Sequence, residues 1–113
     1  MERAVYGTLR KGKPLHGYLK DSKFLGEDWI KGYDLYVDVL PYAVRGNGRL
    51  KVEVYDVDEE TFEEINRMEV NAGYKPVEVD TKFSRAVLRE WVHEPSGERV
   101  KSGDFDYVKL KGW

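Results

Sequence analysis

The sequence predicts an α+β fold, a small mixed β-barrel or curved sheet flanked by a few helices. Two patterns predict it. Apolar and polar residues alternate over most of the chain, with the period of a half-buried strand. One stretch after Asp58 switches to the helical period instead.

The elements follow in order. Ala4, Val5 and Tyr6 make a short β-type run that ends at Gly7. Pro14 stands where a helix can begin, because its fixed φ suits the first turn. Leu15, Tyr18 and Leu19 follow at helical spacing, so a short helix is expected there. Residues 24–30 and 33–39 read as two strands separated by Lys31 and Gly32. In the second, Leu35, Val37 and Val39 alternate with Asp34, Tyr36 and Asp38. Pro41 breaks the pattern, and Gly46-Asn47-Gly48 signals a turn. Leu50, Val52, Val54 and Asp56 then share one strand face. Asp58 is a good N-cap, with Glu59 and Glu60 in the positive first turn of a helix. That helix should run to Met68 or Glu69, with Asn71-Ala72-Gly73 suited to its C-terminal cap. Strands return over residues 75–83 and 86–93, and Pro95-Ser96-Gly97 makes the last turn.

Length and composition bound what such a fold can do. The 113 residues suffice for one domain spanning 1–113 and are too few for two. A chain of this size buries roughly 65% of its unfolded surface, enough for a core without a disulfide or a structural metal. There is no cysteine, which excludes disulfides, thiolate metal sites and a cysteine nucleophile. Nineteen basic residues stand against 21 acidic ones, a net charge of −2, so no basic excess draws the chain to nucleic acid. No apolar run is long enough to span a membrane, and residues 1–5 lead straight into a strand without a signal-peptide stretch. A cytoplasmic location is expected. Oligomeric state is left open.

One carboxylate stands in an unusual place. At about 100° per residue, with Phe62 at zero, Glu60, Glu63, Glu64 and Arg67 fall roughly 100–200° away, on the solvated face. Ile65 falls at about −60° and Glu69 at about −20°. Glu69 therefore points where the apolar stripe points. In one reading it lies past the last full turn and bends out to water. In the other it is a partly desolvated acid with a raised pKa, suited to moving protons. The negative end of the helix dipole would add to that rise.

A second feature is Val5-Tyr6-Gly7-Thr8-Leu9-Arg10, a strand running into a glycine, a hydroxyl residue and a polar loop. Gly7 lets the backbone turn sharply and a ligand approach closely. Successive free N–H groups in such a turn can hold a carboxylate or an oxyanion. Any strand-to-helix turn can carry a glycine, so this feature alone is weak. Other arrangements are absent. His16 and His93 lack metal-ligand spacing and read as surface and strand-end residues. There is no GxGxxG, no P-loop and no nucleophile elbow around any serine.

Taken in order, several segments resemble a known family. They are Val5-Tyr6-Gly7-Thr8-Leu9-Arg10, Pro41-Tyr42-Ala43-Val44, Val54-Tyr55-Asp56-Val57-Asp58, Asn66-Arg67-Met68-Glu69 with Tyr74, and Ser102-Gly103-Asp104-Phe105. The set is similar to the γ-glutamylcyclotransferase-like proteins, which include the γ-glutamylamine cyclotransferases and the AIG2-like group. The resemblance implies a small mixed β-barrel with surrounding helices. It implies cyclisation of a γ-glutamyl group, with release of 5-oxoproline and an amine or amino acid. Glu69 matches the family's acid and would serve as catalytic acid/base. Tyr6, Gly7, Thr8 and Leu9 match its substrate loop, and Tyr74 would close one side of the pocket. No metal or organic cofactor is implied, and the partner is a small γ-glutamyl molecule. Met68 and Val70 flank the acid where leucine and glycine are common, and Lys75 replaces a common arginine. These departures leave the leaving amine open.

Two other readings stand beside this one. A binding relative would keep the pocket and catalyse nothing, or another reaction. An interaction barrel for nucleic acid or protein would have no pocket at Glu69 and a large apolar or basic patch elsewhere.

Overall fold

A four-residue strand at the start of the chain organises the sheet. The computed structural model describes residues 1–107. Strand β1, Glu2–Val5, pairs antiparallel with β3, Pro41–Asp56, and parallel with β5, Arg85–Glu90. β3 pairs with β2, Lys23–Val37, which also carries the short β6, Glu98–Val100. β4, Lys75–Asp80, forms a hairpin with β5. The order is β4-β5-β1-β3-β2-β6 in one curled sheet, a half-barrel. β4 and β6 are its edges, so the curved-sheet form of the expected fold is the one adopted.

The sheet is covered on both faces, which follows from side-chain alternation. Ala4, Leu35, Leu50, Val52, Val54, Ala86 and Leu88 join one core together with Phe105. Val5 and Tyr55 point the other way, into a smaller core with Leu9, Leu19, Val57 and Ile65. Helix α1, Glu59–Asn71, covers that second face with Ile65 and the half-buried Phe62. The Leu15–Leu19 stretch supplies a single 3₁₀ turn, His16–Leu19, rather than an α-helix. Its Leu19 is buried as the spacing requires.

Four expectations are corrected. Residues 24–30 and 33–37 belong to the one strand β2, which ends at Val37 and leaves Asp38 and Val39 outside it, with a register shift between Lys31 and Tyr33. Gly46-Asn47-Gly48 is not the hairpin turn. It lies inside β3, where Lys31 pairs with Arg49 and Tyr33 with Arg45, so three residues oppose Gly32 alone. This is a bulge that bends a long hairpin. Gly46 and Gly48 lie against the Asp34 side chain, where a Cβ would collide. The chain reverses instead at residues 38–40, leaving Val39 exposed, and Pro41 opens a strand. Asp56 is exposed and accepts a hydrogen bond from the Met1 amino group, so it does not share the buried face of Val54.

Both ends of α1 match the residues that predict them. The Asp58 carboxylate accepts from Thr61 N–H at 2.7 Å, and that bond holds its pKa below the usual value. At the far end Gly73 takes φ +100°, the left-handed region. Gly73 N–H bonds the Val70 carbonyl at 3.0 Å, and Tyr74 N–H bonds the Glu69 carbonyl at 3.0 Å. These two bonds define a Schellman cap. The helix therefore continues two residues past Glu69, and the cap ties Glu69 to Tyr74.

Candidate active site

Alternation and the helix wheel bring three charged residues to one point. Arg3 shares the face of Val5 on β1, under α1. Arg89 lies on the face of β5 opposite Leu88. Glu69 descends from the inner face of α1. All three are almost fully buried: Arg3 is 1% exposed, Glu69 4% and Arg89 7%. Arg3 Nη2 pairs with Glu69 Oε1, and Arg89 Nε lies 3.7 Å from Glu69 Oε2. The Arg3 guanidinium also stacks 5.0 Å from the Phe62 ring centre. The reading in which Glu69 bends out to water is thus excluded. Burial is the largest influence on its carboxyl and raises the pKa, against the downward pull of Arg3 and Arg89.

Two tyrosines complete the surround. The Arg89 guanidinium lies 5.1 Å from the Tyr6 ring centre and 4.6 Å from that of Tyr74. Tyr6 Oη donates to the Arg89 carbonyl at 3.0 Å and accepts from Ala43 N–H at 3.1 Å. Burial pushes its phenol up to about 12. Tyr74 Oη donates to the Pro41 carbonyl at 2.6 Å, and burial raises its pKa as well. Both phenols are held neutral and fixed in place. Beyond Tyr74 an aromatic wall continues through Trp91, at 5.0 Å, and Tyr42, 4.6 Å from Trp91.

The loop residues divide. Gly7 has no positive φ, so its need for glycine is one of space. A Cβ there would strike the Pro41 ring and lie 3.0 Å from Arg89 Nη2. Thr8 is fully buried, and its Oγ1 has no hydrogen-bond partner among the described residues. Leu9 packs into the smaller core with Ile65 and Leu19, so its side chain is a support for the loop. Among the described residues the N–H groups of Gly7, Thr8 and Leu9 have no backbone partner. The loop is closed by Arg10 N–H to the Gly7 carbonyl at 3.0 Å, and His16 Nδ1 lies 3.0 Å from the Leu9 carbonyl. His16 is therefore half-buried and engaged, not a plain surface residue.

A separate buried cluster anchors the far end of the loop. Arg10 Nε donates to Glu53 at 3.2 Å, Nη1 to Asp104 at 2.7 Å and Nη2 to Asp106 at 2.9 Å. Glu53 accepts in addition from Tyr55 Oη at 2.8 Å and Lys11 N–H at 2.9 Å. Burial works to raise the Asp104 carboxyl, but Arg10, the Asp106 N–H and Lys51 together outweigh it and hold the pKa below the usual value. The Ser102–Phe105 segment is thereby joined to the Tyr6–Arg10 loop.

The sequence reading does not include Arg3 and Arg89 among the site residues, although both meet Glu69. The strand counterpart of the helix wheel, alternation along β1, places Arg3 on the face of Val5. Arg89 carries no comparable signal, since alternate residues of a strand are commonly charged and face water. Surface clefts of about 440, 360 and 280 Å³ lie elsewhere, and Glu69 lines none of them. The smallest is bordered by Trp91 and Glu90, next to the aromatic wall. Among the described residues no His, Asp and Glu side chains group as a metal site, and no helix is long and apolar enough to cross a membrane.

Comparison with known proteins decides the family. The family described as "Gamma-glutamyl cyclotransferase, AIG2-like" matches residues 3–107. The chain belongs to this family. A Pyrococcus horikoshii relative named "Putative gamma-glutamylcyclotransferase PH0828" is 67% identical over 94% of this chain and 91% of its own length. Its crystal structure superposes with a TM-score of 0.90, covering 94% of this chain and 90% of that one. The Escherichia coli "Gamma-glutamylcyclotransferase family protein YtfP" is 30% identical over 89% of this chain and 92% of its own. Its solution structure gives a TM-score of 0.77, covering 93% of this chain and 96% of that one. Membership extends over the strand, loop, helix and Ser102–Phe105 segments described above.

Proposed function

We propose that this protein is a γ-glutamyl cyclotransferase that converts a γ-glutamyl compound to 5-oxoproline and a free amine or amino acid. The observation that carries the reading is the Glu69 carboxyl, buried at the end of α1 beside the Tyr6 loop with its pKa raised. The substrate's own α-amine is the nucleophile. Its nitrogen attacks the γ-carbonyl carbon, and ionised Glu69 takes the proton that this nitrogen must shed. The tetrahedral intermediate then collapses as the bond to the leaving nitrogen breaks, and Glu69 returns the proton to that nitrogen. The proton count closes without a cofactor. The N–H groups of Gly7, Thr8 and Leu9 are the donors for the developing oxyanion. Tyr6 and Tyr74 wall the site and help hold the flexible chain curled for attack. The domain acts as one unit, in the cytoplasm.

The experiment is 5-oxoproline release from a panel of γ-glutamyl amino acids and amines, with Glu69→Gln as control. Turnover by the wild type and its loss in the variant support the reading, and the active members name the leaving group. One observation favours a second reading, a binding protein without turnover: Glu69 is already engaged by Arg3 and Arg89. That reading predicts saturable binding of γ-glutamyl compounds and no 5-oxoproline.

A further inference from the structure

The Glu69 cluster holds more positive charge than its carboxylate can neutralise. Two guanidiniums, Arg3 from β1 and Arg89 from β5, face one acid from α1. The other titratable groups around it are Tyr6 in the loop and Tyr74 after the helix, both neutral phenols. Arg3 is also incompletely satisfied. Its Nη2 is engaged by Glu69, while Nε and Nη1 are buried with no hydrogen-bond partner among the described residues. Arg10, equally buried, has every guanidinium nitrogen bonded to a carboxylate. A buried guanidinium with free donors is a liability that an incoming anion would relieve.

We propose that Arg3 receives the free α-carboxylate of the substrate on its unpartnered donors, and that this arrival releases Glu69 to act as a base. The inference rests on the cyclotransferase reading. In the free protein Arg3 and Arg89 stabilise the ionised Glu69 and weaken it as a base. A substrate carboxylate at Arg3 cancels one of those charges and sets a negative charge near Glu69. Glu69 then holds a proton more readily, at the moment when one must be taken from the α-amine. Arg3 would thus be both a recognition residue and a counter-ion switch, and the enzyme would reject compounds lacking the α-carboxylate.

The test uses the full chain and two matched compounds, γ-glutamylalanine and the same molecule amidated at the glutamyl α-carboxylate. Amidation brings the α-amine pKa toward the peptide value of about 7.7–8.0, leaving more of it as free base, so a slower reaction reports recognition. The wild type should prefer the carboxylate by about 100-fold in kcat/KM, the scale of a lost charged hydrogen bond. Arg3→Gln should reduce that preference to less than about 5-fold, with a higher KM for the carboxylate, and Arg3→Lys should restore part of it. In the wild type the acid limb of kcat should lie above that of kcat/KM, and in Arg3→Gln the two limbs should converge. A loss of fold alone would not merge the two limbs. Equal turnover of both compounds, or full discrimination by Arg3→Gln, overturns the inference and leaves the cyclotransferase reading standing. If the wild type turns over neither compound nor any panel member, the cyclotransferase reading itself fails, and this inference with it.

Discussion

The Arg10 cluster and the Glu69 cluster are both buried, both built on arginine, and joined through the Tyr6–Arg10 loop, yet they are wired in opposite senses. Around Arg10 three carboxylates meet one guanidinium, and each guanidinium nitrogen has a partner. Around Glu69 two guanidiniums meet one carboxylate, and buried donors on Arg3 stay unmatched. The first arrangement holds a shape. The second stores unsatisfied polar capacity where the family's chemistry is expected. Satisfaction, rather than burial or charge, separates the scaffold from the site.

The largest effect should come from breaking the scaffold cluster. Arg10→Met leaves Glu53 buried without its cation and Asp104 with only Lys51, 3.7 Å away, and urea unfolding should show a loss of about 3–5 kcal/mol. A loss under about 1 kcal/mol would mean that the Arg10 network is not a structural anchor. Gly73→Ala comes next. It forces a Cβ into the left-handed region at φ +100° and toward the Trp91 ring, so thermal and urea melts should show a loss of about 1–2 kcal/mol. Because the cap fixes Tyr74 relative to Glu69, KM for a γ-glutamyl substrate should rise in the same variant.

The smallest effect sharpens the comparison by titration, since the two clusters respond to pH in opposite directions. The Asp104 pKa is lowered from 3.8, so its stabilisation is present above that value and is lost as pH falls through the folded pKa. Asp104→Asn should differ from the wild type near neutrality and converge with it in strong acid. The Glu69 pKa is raised from 4.5, so the folded state binds the extra proton and stability declines as pH rises above 4.5. Glu69→Gln should lack that decline. Urea midpoints across pH for the wild type and both variants check the two signs together. Parallel curves for all three proteins would remove the distinction between the clusters.

Much of this was legible in the sequence, and the limits have physical causes. The helix wheel located Glu69 because a lone carboxylate on an apolar stripe is a local anomaly. Asn71-Ala72-Gly73 announced the cap because a left-handed residue after a helix favours glycine. The loop was legible as a glycine turn, but its depth was not, since burial of Thr8 and Leu9 depends on the 3₁₀ turn and α1 packing over it. Arg3 and Arg89 stayed hidden because charged residues in strands usually face water, and only the long-range pairing of β1 with β5 brings them together. Gly46-Asn47-Gly48 misled for a related reason. Turn chemistry marks where a chain can bend, but the register of two long strands decides whether the bend is a reversal or a bulge.

The most direct test joins function to stability in one variant. Glu69→Gln keeps the side-chain shape and removes the titrating proton. 5-Oxoproline release and thermal melting of that variant and the wild type should be measured side by side at pH 7. Turnover should fall by about 10²–10⁴-fold, the usual range for a lost general acid/base, while the variant still melts cooperatively. Retained turnover would contradict the role of Glu69, and a collapse of Tm would place Glu69 with the scaffold instead of the site.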